Sequence, residues 1–239
     1  MATTSQSSAR ERSLQEDTDG NSTVHRAGPS QARWATTSLA VSGACFLLYP
    51  AMRPFSDETS LSGAAAFASS AWFLAHSLAM AGFILLALGS LGVYLYLRNT
   101  AGSTPAILSL VLSWIGIGLT LPYYGAETFG LQAVGRDALR QQNAAAMPLA
   151  NSIRLEEGIW FIMLGLLCLG VGTTLLAVAL WRSHRFPGWS GIPLAVGFAL
   201  FIPQFLTPQP VRIAHGLLIA FGCLLIARGI LRPLTPLRR

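Results

Sequence analysis

The chain has 239 residues, of which 52% are hydrophobic and only 11% carry a charge. A soluble globular protein has about 25% charged residues, so this chain has too few charges to cover a surface that faces water. The composition therefore excludes an ordinary soluble domain and indicates a protein whose apolar side chains face lipid.

The basic residues are all arginines, sixteen in number, and the sequence contains no lysine. This excludes mechanisms that depend on a lysine amine, such as a Schiff base or a Walker-type phosphate site. The arginines are scattered near the ends of apolar runs rather than gathered in a stripe. The basic pI of about 9.9 therefore reflects membrane topology, and we expect no nucleic-acid partner.

Residues 1–33 are mostly polar, and we predict that they form a disordered cytoplasmic tail. Six apolar runs follow. A helix needs about 20 apolar residues to cross a bilayer, and lipid offers no partner to an unpaired backbone group. The predicted fold is an all-α, polytopic integral membrane bundle of six transmembrane helices over residues 34–232, with a basic cytoplasmic tail at 233–239. The predicted spans are 34–51, 67–97, 104–125, 157–181, 189–206 and 211–231.

The arginine distribution predicts the orientation of this bundle. With the N-terminus inside, the inner segments hold eleven arginines and the outer segments hold five, as the positive-inside rule requires. We therefore predict that both termini are cytoplasmic and that the protein is a multi-pass protein of the plasma (inner) membrane. The run at 189–206 is the weakest because it contains Pro193 and Pro203, but without it the C-terminal arginines would lie outside.

The segment 126–156 is the one long connection, and we expect a short, weakly amphipathic helix there on the outer surface. Connections of this length often have a functional role.

Polar residues from four predicted helices lie at one depth, near the outer face. An ionisable group near the centre of a span costs roughly 2.5–3.5 kcal/mol on insertion scales, so each such residue needs a reason. The residues at this depth are His76, Tyr123, Tyr124, Glu127, Glu156, Glu157, Arg212 and His215. Their common depth predicts a polar pocket in the outer leaflet.

Three uses of this pocket fit the residue types. Glu127 and His76 could act as an acid/base pair, because burial raises the pKa of a carboxyl group and histidine titrates near neutrality. His76, Glu127 and His215 are also candidate metal ligands. The remaining residues, Tyr123, Tyr124, Glu156, Glu157 and Arg212, together with His215, would bind a ligand, with Arg212 pairing with an anionic head group.

No motif of fixed spacing, such as HExxH, selects among these uses. The predicted function is a small multispan membrane protein whose pocket binds a membrane lipid, a lipid-like small molecule or a partner. The alternative is an integral-membrane enzyme that acts on a lipid or isoprenoid-like substrate by acid/base chemistry, with or without a metal. Transport is the third class left open.

Overall fold

The computed structural model describes residues 29–232, and every regular element in this range is helical. The nine α-helices of this range are α1 (Pro29–Met52), α2 (Leu61–Ala68), α3 (Ser70–Leu97), α4 (Ser103–Gly125), α5 (Leu131–Gln141), α6 (Leu149–Leu155), α7 (Gly158–Arg182), α8 (Ile192–Ala199) and α9 (Gln209–Leu231). A π turn lies at Ala126–Gly130, and 3-10 turns lie at Ala144–Ala146 and Pro203–Leu206. Of the tail predicted at 1–33, residues 1–28 lie outside the described residues, as does the tail predicted at 233–239, whereas residues 29–33 belong to α1 and so are not disordered as predicted.

Five helices of the described range are long and apolar enough to cross a membrane. They are Ser30–Met52, Ser70–Leu97, Ser103–Gln141, Gly158–Arg182 and Gln209–Leu231. These helices overlap five of the six predicted spans, although α1 begins at Pro29, earlier than the predicted residue 34, and the third helix continues to Gln141, beyond the predicted residue 125. The chain therefore has the all-helical architecture of a multi-pass membrane protein.

The second apolar run is divided at Ser69. This residue has an extended backbone, and its hydroxyl accepts a hydrogen bond of 3.1 Å from the Trp72 backbone N–H. A serine that caps a helix in this way ends the preceding helix and starts the next one. The span predicted at 67–97 consequently begins at Ser70, as α3, and residues 67 and 68 end the short α2, most of which precedes the predicted run.

A π turn joins α4 to α5. It follows Pro122, which lacks a backbone N–H, and it adds one residue to the helical register at Ala126–Gly130. The turn places Glu127 and Thr128 in buried positions. Beyond it, α5 provides the short helix expected in the long connection.

The segment 189–206 forms only a short helix and a 3-10 turn, and it is not among the five long helices. It nevertheless runs antiparallel to α7. A Cβ atom on Gly191 would lie 2.4 Å from the Ala177 Cα, whereas a Cβ atom on Gly170 would lie 3.7 Å from the Phe198 carbonyl oxygen. The segment thus moves towards the N-terminal end of α7 as the chain advances.

Small residues allow the long helices to approach closely, which is the usual source of packing energy in lipid. A Cβ atom on Gly43 of α1 would lie 2.9 Å from the Ala220 Cα of α9, and one on Gly116 of α4 would lie 2.6 Å from the Gly165 carbonyl oxygen of α7. The core between the helices contains aromatic side chains, including Phe46, Phe83, Phe198 and Phe201.

A second, smaller core joins α2, α5 and α6. We call these three helices and their core the cap. Its buried residues are Ala64, Phe67, Trp72, Leu131, Ala138, Met147 and Ala150. Trp72 belongs to α3, so the cap packs onto the N-terminal end of a long helix. The cap thereby fixes the segments that carry the candidate site.

Candidate functional site

A cavity of about 750 Å³ lies where the ends of α1, α4, α7 and α9 meet the 3-10 turn at Pro203–Leu206. Its polar lining residues, which we call its polar side, are Tyr49, Arg53, Glu58, Tyr123, Tyr124, Glu127, Arg154 and Arg212. Its apolar lining residues, which we call the apolar wall, include Ile159, Ile162, Met163, Ile202, Phe205 and Leu206. The cavity therefore has the amphipathic lining that suits a molecule with a polar and an apolar part.

Arg154 organises the polar side. Its Nε and Nη2 atoms bind the two carboxylate oxygens of Glu127, with an Nη2–Oε2 distance of 3.1 Å. Its Nη1 atom contacts Glu58 Oε2, and the other oxygen of Glu58 accepts a hydrogen bond of 3.0 Å from Arg53. Every carboxylate oxygen of Glu58 and Glu127 therefore has a guanidinium partner.

The charge of Arg154 is well compensated in this network. Its burial acts to lower the pKa of the guanidinium, but the neighbouring carboxylates of Glu127 and Glu58 raise that pKa by more, and the net direction is upward. Bidentate arginine–carboxylate pairs are stronger and more directional than ordinary hydrogen bonds. The network therefore holds the π turn, the chain before α2 and α6 in one arrangement.

His76 lies behind Glu127 rather than in the cavity. Its side chain is 1% exposed, and its Nδ1 atom lies 2.9 Å from the Trp72 carbonyl oxygen. That oxygen can only accept, so Nδ1 carries a proton. The His76 Nε2 atom lies 3.5 Å from Glu127 Oε2, and it has no hydrogen-bond partner within residues 29–232.

Trp72 ties this histidine to the π turn. The Trp72 indole N–H donates a hydrogen bond of 2.9 Å to the Glu127 carbonyl oxygen, and the indole and imidazole ring centroids lie 4.1 Å apart. On its other side, His76 packs against Tyr49 with ring centroids 5.3 Å apart. The imidazole is thus enclosed by aromatic rings.

Of the eight predicted site residues, four line the cavity, His76 lies behind Glu127, and the other three lie elsewhere. Tyr123, Tyr124, Glu127 and Arg212 line the cavity. Glu156 and Glu157 are exposed to the exterior and do not line it.

His215 also lies outside the cavity. Its Nε2 donates a hydrogen bond of 2.7 Å to the Gly197 carbonyl oxygen of α8, and its ring packs edge-on against Phe201. The candidate metal ligands His76, Glu127 and His215 therefore do not converge. Across residues 29–232, no three His, Cys, Asp or Glu side chains are placed to hold a metal ion.

Sequence reasoning missed four polar residues of the site: Tyr49, Arg53, Glu58 and Arg154. The two arginines are among the five arginines predicted to lie outside, and no pattern in the sequence singles out Glu58. Glu58 and Arg154 lie in connections between the long helices, where a charged residue needs no special explanation. The available signal is the concentration of carboxylates in the connecting segments at one end of the bundle, namely Asp57, Glu58, Asp137, Glu156 and Glu157.

The Tyr124 hydroxyl is the one buried polar atom of the cavity wall that the described part of the chain leaves without a hydrogen-bond partner. The Tyr124 residue is 2% exposed. A buried hydroxyl without a partner loses free energy relative to its state in water, so a bound ligand or water is the natural acceptor or donor.

Comparisons of the chain with protein-family profiles, with curated proteins and with solved structures find no match.

Proposed function

We propose that this protein binds an amphipathic, lipid-like molecule in the cavity, with the polar head on the arginine and glutamate side and the tail on the apolar side. The observation that carries the proposal is that one cavity is lined both by an ionic network and by a set of apolar side chains. The wall is formed by α7 and the 3-10 turn, and it includes Ile159, Met163 and Leu206.

The ligand's tail and head contribute differently. A tail that leaves the bilayer for the cavity exchanges one apolar surrounding for another, so its burial adds little free energy. The head group leaves the polar interface for a site with charged partners, and hydrogen bonds to charged groups contribute about 1.5–3 kcal/mol each. The selectivity of the site therefore lies in its polar side.

The same geometry favours binding over acid/base catalysis. Glu127 is occupied by Arg154 on both carboxylate oxygens, and a carboxylate held in this way is a weak proton acceptor. The His76 Nε2 atom faces Glu127 rather than the cavity. A catalytic pair would need at least one of the two groups free to reach a substrate.

We further propose six membrane crossings, with the segment 189–206 as the fifth of them. Its antiparallel course beside α7, together with the Arg212 hydrogen bond of 2.6 Å to the Phe205 carbonyl oxygen, supports a path from one end of the bundle to the other. The helix is short because Pro203 and Gly191 flank it, and the 3-10 turn supplies the remaining length.

The distribution of arginine between the two ends supports the orientation. Arg185 donates a hydrogen bond of 2.9 Å to the Tyr96 carbonyl oxygen, and Phe186 packs beside Gly229, so the ends of α3, α7 and α9 meet away from the cavity. Five of the sixteen arginines of the sequence lie in segments at the cavity end, and the other eleven lie in the segments of the opposite end. We propose that the end away from the cavity is cytoplasmic and that the membrane is the plasma membrane.

A blocking substitution on α7 tests the proposed function. Met163 belongs to the apolar wall, so Met163→Trp places an indole in the cavity. Leu167→Trp, one turn further along the same helix, adds an indole on the outside of the bundle, where Leu167 is 60% exposed. We expect native mass spectrometry of the purified chain to show one retained amphiphile in the wild type and in Leu167→Trp, and none in Met163→Trp. Equal lipid content in all three proteins would contradict the proposal. Ile202→Trp repeats the test if Met163→Trp does not fold.

A further inference from the structure

The polar side of the cavity carries one uncompensated positive charge. It contains the arginines Arg53, Arg154 and Arg212 and the carboxylates Glu58 and Glu127. Arg53 and Arg154 occupy all four carboxylate oxygens. Within the described residues, Arg212 has no carboxylate partner.

Backbone carbonyls hold the Arg212 side chain in position. Its Nε donates a hydrogen bond of 2.8 Å to the Thr207 carbonyl oxygen, and its Nη2 donates one of 2.6 Å to that of Phe205. These carbonyls orient the guanidinium, but they carry no net charge. Arg212 is therefore fixed at the cavity as a cation for which the side chains of residues 29–232 supply no counter-ion.

A second arginine increases the positive potential beside Arg212. The guanidinium carbon of Arg212 lies 5.2 Å from the centroid of the Phe55 ring, and that of Arg53 lies 4.7 Å from the same centroid. Two cations that share one aromatic ring repel each other, and an anion between or beside them relieves the repulsion. Phe55, Arg53 and Arg212 all line the cavity.

We propose that the head group of the bound amphiphile carries one negative charge, as in a phosphodiester or a carboxylate, and that Arg212 binds it. This inference rests on the proposed function and adds the chemical class of the head group. One negative charge neutralises the cavity, and the unpartnered Tyr124 hydroxyl is available as a hydrogen-bond donor to the ligand. A zwitterionic head group would bring a cation into a site that already has one in excess.

The test compares two lipids that differ only in the head group. Delipidated full-length chain in a neutral detergent is titrated with dioleoylphosphatidylglycerol and with dioleoylphosphatidylcholine, and the dissociation constants are measured by native mass spectrometry. We expect the wild type to prefer the anionic lipid by about tenfold, the scale of one charge-assisted hydrogen bond. Arg212→Gln should remove this preference, and Arg212→Lys should retain most of it.

Arg232→Gln is the matched control, because Arg232 lies at the other end of α9. The preference of Arg232→Gln for the anionic lipid should equal that of the wild type. If Arg232→Gln loses as much of this preference as Arg212→Gln does, the assignment of Arg212 is overturned. The wild type could instead bind the two lipids with equal affinity, and Met163→Trp could abolish the binding of both. That result would overturn the inference and leave the proposed function standing. If Met163→Trp binds both lipids as tightly as the wild type does, the proposed function itself is overturned.

Inorganic phosphate separates recognition of an anion from recognition of an amphiphile. We expect millimolar phosphate to compete weakly with dioleoylphosphatidylglycerol, because the tail confines the lipid head group to the micelle and so raises its local concentration at the cavity, whereas phosphate is dispersed in bulk water. Full competition at concentrations equal to those of the lipid would show a site for a free anion and would overturn the inference.

Discussion

Arg154 binds both carboxylate oxygens of Glu127, which lies in the π turn after α4, 27 residues earlier in the chain. The same guanidinium contacts Glu58 in the chain before α2. One side chain thus connects three segments that are far apart in sequence, and it closes the polar side of the cavity. The cap and the bundle are held together by this contact as well as by the apolar core around Trp72.

Removal of the Glu127 charge should destabilise the protein. Glu127→Gln leaves the partly buried Arg154 with only Glu58 as a carboxylate partner, and the loss of one member of a buried ion pair costs about 3 kcal/mol. We expect the free energy of unfolding in detergent to fall by about this amount, as measured by tryptophan fluorescence during denaturation.

Asp137→Asn serves as the control for Glu127→Gln. Asp137 pairs with Arg140 on the surface of α5, where the Arg140 side chain is 78% exposed, and such pairs contribute at most about 1 kcal/mol. A Glu127→Gln variant no less stable than Asp137→Asn would show that the network around Arg154 contributes nothing to the fold.

His215 should not affect ligand binding. His215→Gln retains a side-chain N–H that can reach the Gly197 carbonyl oxygen, and His215 lies outside the cavity. We expect the affinity of this variant for dioleoylphosphatidylglycerol to stay within about twofold of the wild type.

Tyr124→Phe, which removes the unpartnered hydroxyl from the cavity wall, should weaken binding about threefold to tenfold, the scale of one neutral hydrogen bond. A larger loss in His215→Gln than in Tyr124→Phe would place His215 in the site.

Cysteine accessibility should place the two ends of the bundle on opposite sides of the membrane. The three native cysteines, Cys45, Cys168 and Cys223, are replaced by alanine, and single cysteines are introduced at exposed positions. Ser56→Cys and Pro208→Cys mark the cavity end, and Asn99→Cys and His184→Cys mark the other. We expect a membrane-impermeant maleimide to label the first pair on intact cells and the second pair only after permeabilisation.

Each alternative topology has its own labelling pattern. Labelling of Pro208→Cys on the same side as His184→Cys would show that the segment 189–206 does not cross the membrane. Labelling of Asn99→Cys, but not Ser56→Cys, on intact cells would show that the cavity opens to the cytoplasmic leaflet instead.

Most of the fold can be predicted from the sequence because long apolar runs leave the backbone no alternative to a helix in lipid. The exceptions have local causes. The second span begins at Ser70 rather than at residue 67, because the side chain of Ser69 caps this helix, and a serine among alanines gives little warning of this. Pro193 and Pro203 mark the segment 189–206 as a weak span in the sequence. In the structure it forms only a short helix and a 3-10 turn.

The candidate site is predictable only in part, because depth in the membrane does not determine the direction of a side chain. Tyr123, Tyr124, Glu127 and Arg212 share both depth and direction, whereas His215 shares the depth but faces α8. The contact between Glu58 and Arg154 can be found only from the three-dimensional structure. They lie 96 residues apart in connecting segments, and no periodic pattern relates them.

The most direct measurement is photo-cross-linking with a phosphatidylglycerol whose acyl chain carries a diazirine, followed by peptide mapping on the full-length chain in lipid vesicles. We expect the label on the cavity wall, at Ile159–Met163 of α7 and at residues 202–206, and we expect Met163→Trp to abolish it. Label confined to outward-facing residues such as Leu167 and Leu224, and unchanged in Met163→Trp, would contradict the binding of an amphiphile in the cavity.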